Sequence, residues 1–554
     1  MTITPPQAGD ATVASAHPGT DAPDEKGCTT YDSRGFLARA ALVTVVLSLA
    51  GTLLGLGRDQ ALAHLFGAGP ETDAFLVAWT VPEFASTLLI EDGLAFVLVP
   101  AFTAVVARRA QGDTGDPVRA LVRGTLPRLA LAFAVASALL VWGAPYLVDV
   151  LAPGLPDPGL AEDCTRLTGT CVLTFGLAGY CSAALRAHRR FAAPAAIYVA
   201  YNTAVITAMF VLGDRWGVRA AATGVAVGGV LMIAIQLPSL LRQLRRKRAA
   251  SLETGAADRA APAVDRRAMN LALILTVLLF ALCRQSQVLI ERCLASTLPA
   301  GAISHLNYAQ KVAQMPMVLA LMLCTVTFPV VSQALAQGDT ERARDRVERD
   351  LRAVSCVVLF GTAAVVACAP QLVHTLFERG AFTAQDTAAT AAVMRVYALG
   401  LLGHALVGAL VRSYFSAGRP TWYPVAAMTA GIVVTAWIGA GTVDSWGVLG
   451  IAAANAAGIT LTALILLYGM ESHGVPIRVR PLLAAMGRPL RAAMVACGAG
   501  GFCASLVDSP VLGLAAGGTA VTVVFFLLAR MPGEQRLAPA LHTAARRLSR
   551  ARSR

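Results

Sequence analysis

Charge is scarce in this sequence. Only 14% of its 554 residues are Asp, Glu, Lys or Arg, against 56% hydrophobic, where a soluble domain carries about 25% charged residues. No stretch outside the apolar segments is long enough to build a soluble domain, so lipid must be the solvent for most of the chain. Lysine is nearly absent: Lys26, Lys247 and Lys311 stand alone among arginines. The 11 cysteines are scattered, and most (Cys171, Cys181, Cys283, Cys324, Cys356 and Cys497 among them) fall in apolar segments. Their spacing excludes a disulfide framework or a zinc ligand set and leaves them as small apolar packing residues. No G-x-x-x-x-G-K-[ST] run occurs, which excludes an ATP motor within the chain. Residues 1–35 are polar, acidic and rich in Pro and Gly. They read as a disordered tail rather than a cleavable signal peptide.

What remains is apolar and long. The mean hydropathy is +0.62, and a crossing needs about 20 apolar residues. The segments 36–57, 72–107, 127–151, 166–186, 193–213, 218–241, 268–294, 302–337, 353–376, 388–411, 421–442, 445–470, 489–507 and 510–530 meet that requirement. The fold class is therefore an all-α polytopic membrane protein of about 14 transmembrane helices. The second and eighth segments exceed one crossing and contain Pro82 and Pro100, and Pro316 and Pro329, so each is expected to bend or break.

The net charge of +13 is distributed by topology. Arginines cluster in loops 108–126 (Arg108, Arg109, Arg119, Arg123), 187–192 (Arg189, Arg190), 242–267 (Arg242 to Arg248), 338–352 (Arg342, Arg344, Arg346, Arg349) and 471–488 (Arg478, Arg480, Arg488), and Arg412 and Arg419 flank 412–420. The intervening loops 152–165, 295–301, 443–444 and 508–509 hold few or none. Positive loops stay in the cytoplasm, which puts both termini there and makes the number of crossings even. Basic residues placed this way do not form a phosphate-tracking groove, so no nucleic acid partner is expected.

The chain repeats itself. Leu62–Ala63 followed by Ala68–Gly69 recurs as Leu294–Ala295 followed by Ala300–Gly301, and Gly176, Gly179 and Phe191 recur as Gly400, Gly403 and Phe415. Both matches join segments of the same membrane orientation, so the halves are related by an axis along the membrane normal. The organisation expected is a tail (1–35), a six-helix lobe (36–241), a basic cytoplasmic linker (242–267), a second six-helix lobe (268–470), two further helices (471–530) and a basic cytoplasmic tail (531–554). Substrate would pass between the lobes.

Ionisable groups inside spans cost about 2.5–3.5 kcal/mol each on insertion scales. One set holds Arg58, Asp59, Asp73, Glu83, Glu91 and Asp92; the other holds Arg284, Glu291, Arg292, His305 and Lys311. They occupy matching helices of the two repeats and should face each other across the lobe interface. Arg58, Lys311, Arg284 and Arg292 are candidates to bind an anionic substrate such as a phosphate or diphosphate. Asp59, Asp73, Glu91, Asp92 and Glu291 are candidates for gating or coupling. The competing readings are pairing or snorkelling for Arg58, Asp59, Asp73 and Arg292, an ion pair between Arg284 and Glu291 on one helical face, and a helix-break cap for Glu91 and Asp92. Nothing reads as a catalytic or metal-binding constellation. Transport would draw on a monovalent cation gradient, the membrane potential or downstream pull, without a bound cofactor.

Three stretches resemble a known family. GLGRDQALAHLFGAGPETDAFLVAWTVPEFASTLLIEDGLAFVLVPAF (55–102), LASTLPAGAISHLNYAQKVAQMP (294–316) and LFERGAFTAQDTAATAAVMRVYALGLLGHALVGALVRSYFSAGRP (376–420) are similar, in order and spacing, to the signatures of the MurJ/MviN lipid II flippases. These belong to the multidrug/oligosaccharidyl-lipid/polysaccharide exporter superfamily. The resemblance implies fourteen helices in two lobes around a cationic cavity, in the bacterial cytoplasmic membrane. It also implies translocation of undecaprenyl-diphosphate-linked muropeptide by alternating access, in company with cell-wall synthesis proteins. Arg58, Asp73 and Glu91 stand where the family has its Arg, Asp and Glu, and Glu291 matches an acidic position tied to cation coupling. Family arginines fall here on Thr52, Ser86 and Thr87, and a family Asp-Arg pair reads Gln310–Lys311. These departures leave the substrate open between lipid II and another polyprenyl-linked saccharide or specialised lipid. A cation-coupled drug antiporter of the same superfamily would have a more apolar and acidic cavity.

Overall fold

The computed structural model describes residues 29–91, 93–110, 117–245, 271–416 and 421–529. Every element among them is helical. Asp92, residues 1–28 of the N-terminal tail, residues 246–267 of the linker and the C-terminal tail 531–554 lie outside the described residues.

The first half contributes α1 (Thr29–Phe66), α2 (Pro70–Ala78), α3 (Thr80–Ala85), a π-turn (Ser86–Glu91), α4 (Gly93–Ala110), α5 (Pro117–Trp142), α6 (Ala144–Leu151), α7 (Pro158–Gly169), α8 (Cys171–Ala187), α9 (Ala192–Trp216) and α10 (Arg219–Arg245). The second contributes α11 (Leu271–Ser296), α12 (Ala302–Ala313), α13 (Met315–Ala336), α14 (Thr340–Ala367), α15 (Ala369–Phe377), α16 (Ala384–Ala398), α17 (Leu401–Ser416), α18 (Tyr423–His473), α19 (Val479–Ser505) and α20 (Pro510–Ala529). The first helix begins at Thr29, ahead of the expected 36.

Proline sets the breaks. Pro82 and Pro316 lack the N–H that would bond Ala78 and Val312, and the long second and eighth segments part at Trp79 and Gln314 beside them. Ala144–Pro145 opens α6, and Ala369–Pro370 opens α15 in the same way. The α7–α8 break at Thr170 has its counterpart between α16 and α17, where the two helices bend by 48°. The repeat read in the sequence thus recurs as a repeat of broken helices.

By length and hydropathy nine helices could cross a membrane, or ten counting the bent α16–α17 pair, among the described residues. That is fewer than the expected fourteen, although each expected segment falls on a helix. The 51-residue α18 turns at Gly447 (φ 55, ψ −135) and folds back on itself. Thr435 Oγ1 donates to the Ala454 carbonyl and Thr462 Oγ1 to that of Ala427, both at 3.4 Å, so its two legs pack side by side. Helices α11 and α19 each carry three charged side chains, which lowers their hydropathy.

Helices α1–α10 pack on one another, as do α11–α20; the two sets touch through α2–α12, α1–α15, α6–α11 and α4–α11, with the π-turn also against α11. Large apolar side chains face outward, with Val150 73% and Trp437 77% exposed, while the interior is filled largely by Ala, Gly, Val and Leu. A surface this apolar is a lipid-facing one, and the chain is a multi-pass membrane protein.

Candidate functional site between the two helix sets

One end of the molecule is sealed by backbone. Ala381 N–H donates to the His64 carbonyl at 2.9 Å, and Gln60 Nε2 donates to the Leu376 carbonyl at 3.2 Å. Gly67 (φ 68) and Gly380 (φ 67) adopt left-handed backbone in this seam. A Cβ at Gly67 would lie 2.6 Å from the Ala381 carbonyl oxygen, and one at Gly380 would strike the His64 carbonyl. Asp73, 4% exposed on α2, completes the seal. Its carboxylate accepts from the N–H groups of Gly301 (2.6 Å) and Ser304 (2.7 Å) and from Ser304 Oγ (2.5 Å). It therefore caps the first turn of α12 from the opposite helix set, where unpaired N–H groups and the helix dipole favour an anion.

Farther in, Arg58 is satisfied without leaving its own helix set. Its Nε and Nη2 donate to Asp59 Oδ1 at 3.0 and 2.6 Å, Nη1 donates to Asn202 Oδ1 at 3.3 Å, and the guanidinium lies 4.1 Å from the Trp79 ring centre. Asp59 is 6% exposed and serves as the counter-charge.

The charges that cross the interface centre on Glu83. This residue, one among several acids of span 2 by sequence, meets Arg292 Nη2 at 2.9 Å and Lys311 Nζ at 3.4 Å. Arg292 also donates to Thr80 Oγ1. α3 thus presents a carboxylate and a hydroxyl to cations from α11 and α12. The Arg292 side chain is nearly buried, whereas that of Lys311 keeps 31% of its surface.

Glu291 does not pair with Arg284. It is buried and accepts from the side-chain amides of Gln310 and Asn455. The network continues from Asn455 Oδ1 to His404 Nε2 (3.0 Å), to Tyr397 OH (3.3 Å) and to Gln314 Nε2 (2.8 Å). No partner for Glu291 is evident in span 11 by sequence; the partner comes from the second leg of α18. Asn455 and Asn202 are lone amides in apolar runs, a faint signal that was there to read. Arg284 is exposed and makes no hydrogen bond or ion pair among the described residues.

Glu91 ends the π-turn, a geometry common at functional positions. Its Oε1 accepts from Tyr198 OH at 2.8 Å and from Ser86 Oγ at 3.2 Å. Ser86 therefore donates to the Glu91 carboxylate, and Thr87 Oγ1 is turned to the Glu83 carbonyl at 3.1 Å. The structure brings Asp73, Arg292 and Lys311 to the junction. It holds Arg58 and Asp59 within α1–α10 and Glu291 within α11–α20.

Comparison with known proteins agrees with this architecture. The family model described as lipid II flippase MurJ matches residues 62–516. A lipid II flippase MurJ of Burkholderia cenocepacia is 28% identical over 459 residues, spanning 79% of this chain and 84% of that protein. A solved lipid II flippase MurJ in an inward closed conformation has the same fold, with a TM-score of 0.70 at 18% identity over 88% of this chain and 98% of that one. An inward-facing multidrug resistance MATE family transporter of the MOP superfamily gives a TM-score of 0.60 at 14% identity, over 80% and 99%. The match to the family model spans most of the sequence and the broken helices that build the junction: the chain belongs to the lipid II flippase MurJ family.

Proposed function

We propose that this protein translocates lipid II, the undecaprenyl-diphosphate-linked peptidoglycan precursor, from the inner to the outer leaflet by alternating access. Fourteen crossings, two lobes (36–241 and 268–470) with two trailing helices (471–530), and cytoplasmic termini make up the proposed topology. The sealed end then faces outward and the substrate loads from the cytoplasmic side.

The observation that carries the reading is the sharing of one carboxylate, Glu83, by two cations of the opposite lobe. A diphosphate entering between the lobes offers Arg292 and Lys311 a stronger set of acceptors than Glu83 alone. Transfer of the cations from Glu83 to the diphosphate keeps both cations paired, frees the Glu83 carboxylate and removes a bond between the lobes. Asp73 then becomes the last charged clasp at the outer end, and its release from the α12 N-terminus lets that end open. Arg284 adds an uncommitted cation to the same lobe. We assign coupling to Glu291 and its amide partners, driven by a monovalent cation gradient or by the membrane potential.

Expression in a strain depleted of its own lipid II flippase tests the reading. Restored growth with normal outer-leaflet lipid II is expected. Absence of rescue at normal membrane abundance would overturn it. A second reading rests on Thr52, Ser86 and Thr87 being neutral: the cargo is another polyprenyl-diphosphate saccharide. Failure of rescue together with transport of such a lipid in vesicles would select it.

A further inference from the structure

The first lobe contains a cavity whose lining includes neither Glu83 nor its partners Arg292 and Lys311. It has a volume of about 420 Å³ and lies between α1, the end of α8 and α9, within the range of small-ligand sites. Ser48 and Thr52 line it from α1, Arg186 from α8, Phe191 from the intervening loop, and Tyr198 and Asn202 from α9. Ser48 and Thr52 lie near the middle of α1, and Arg186 and Phe191 lie beside the α8–α9 loop, short of the His64–Ala381 seam at the end of α1.

Most of the polar groups here are already committed. Asn202 donates to the Gly51 carbonyl at 3.1 Å and accepts from Arg58; Tyr198 OH is held by Glu91 and Ser86; Thr52 Oγ1 donates to the Ser48 carbonyl at 3.1 Å. The Arg186 guanidinium and the Ser48 hydroxyl make no hydrogen bond among the described residues. No carboxylate lines the cavity, and Glu91, behind Tyr198, is turned to Tyr198 and Ser86. The free groups are thus donors: one planar cation and one hydroxyl, facing an apolar wall of Phe191 and Pro194. A guanidinium in such a setting suits a phosphate ester, and the apolar wall suits the beginning of a lipid tail.

We propose that this cavity is a docking subsite for the phosphate group of a membrane lipid, with Arg186 as its cation. Resting on the transport reading, the occupant is the diphosphate of the polyprenyl-linked substrate as it enters from the cytoplasmic leaflet, before it reaches Arg292 and Lys311. The same chemistry would also accept the headgroup of a bulk anionic phospholipid.

The test uses the full-length protein in phosphatidylcholine nanodiscs and radiolabelled undecaprenyl diphosphate as probe. Arg186→Gln should weaken binding about 10- to 100-fold, and Arg186→Lys about threefold, since it keeps the charge without the fork. Arg190→Gln, in the loop that follows α8 and not lining the cavity, should stay within about twofold. Adding Thr52→Arg to Arg186→Gln should recover most of the affinity, because the new cation enters the same cavity. Unchanged binding in Arg186→Gln, or an equal loss in Arg190→Gln, would overturn the subsite. Phosphatidylglycerol that competes only when Arg186 is present identifies the bulk headgroup as occupant; no competition identifies the diphosphate lipid. Rescue of the depleted strain without any Arg186 effect sinks the subsite and spares the transport reading. Arg186-dependent phosphatidylglycerol binding without rescue does the reverse.

Discussion

Arg58 and Arg292 are both largely buried cations, and each has a guanidinium nitrogen close to a carboxylate, at 2.6 and 2.9 Å. They differ in where that carboxylate lives. Asp59 is the next residue on α1, so the Arg58 pair lies within one helix set. Glu83 lies on α3 and its cations on α11 and α12 of the other helix set, so those pairs depend on the contact between the two sets. Burial of a charge is tolerable only with a partner; a local partner makes the charge a fixture, and a partner across the junction makes it exchangeable. The same contrast separates Glu291, answered by amides within its own lobe, from Asp73, which answers the α12 N-terminus of the other.

The largest effect should follow breaking the local pair. Arg58→Ala leaves Asp59 buried without its counter-charge and should cost about 3–5 kcal/mol of stability. A thermal unfolding scan of the purified protein checks this; an unchanged midpoint would remove the distinction drawn above. Breaking the crossing pair should act on transport instead. Lys311→Ala leaves Glu83 paired with Arg292, so the protein should persist in the membrane while the flipping rate falls about 10- to 100-fold. Asp73→Asn weakens the clasp on Gly301 and Ser304. In a background freed of reactive native cysteines, a cysteine at Ala68 should then react about tenfold faster with an impermeant thiol reagent added outside. The smallest effect belongs to Asn455→Ala, which removes one of two amide donors to Glu291 and should slow transport about threefold, with substrate affinity unchanged. A loss of substrate affinity of about tenfold in Asn455→Ala would place Glu291 in the binding path rather than beside it.

Much of this was legible because a membrane leaves a chain few choices. Apolar runs had to be helices, and the two over-long ones were expected to bend or break at their prolines: they part beside Pro82 and Pro316, whereas Pro100 lies inside α4. Charges inside spans had to find partners, which made Arg58, Asp73, Arg292 and Lys311 conspicuous. The pairing itself was not legible: that α3 lies against α11 and α12 depends on helix crossings between distant segments. Glu83 was therefore one acid among several, and Arg284 and Glu291 could be taken for a pair on one helical face. Neutral polar groups were fainter still. Asn455, His404 and Gln310 barely disturb the hydropathy of their helices, yet they hold Glu291. Arg186 lay at the edge of a span, beside loop arginines that set topology, and only the packing of α1 against α9 shows the cavity it lines.

The central claim is that the lobes exchange their shared ion pair for a lipid diphosphate. Its most direct test is reconstitution of the wild-type protein and Lys311→Ala into vesicles loaded with lipid II in the inner leaflet, with outer-leaflet exposure followed in time. The account predicts steady appearance of lipid II outside for the wild type and a rate reduced about 10- to 100-fold for Lys311→Ala at equal protein incorporation. Equal rates for the two proteins, or no exposure above protein-free vesicles for the wild type, would contradict it.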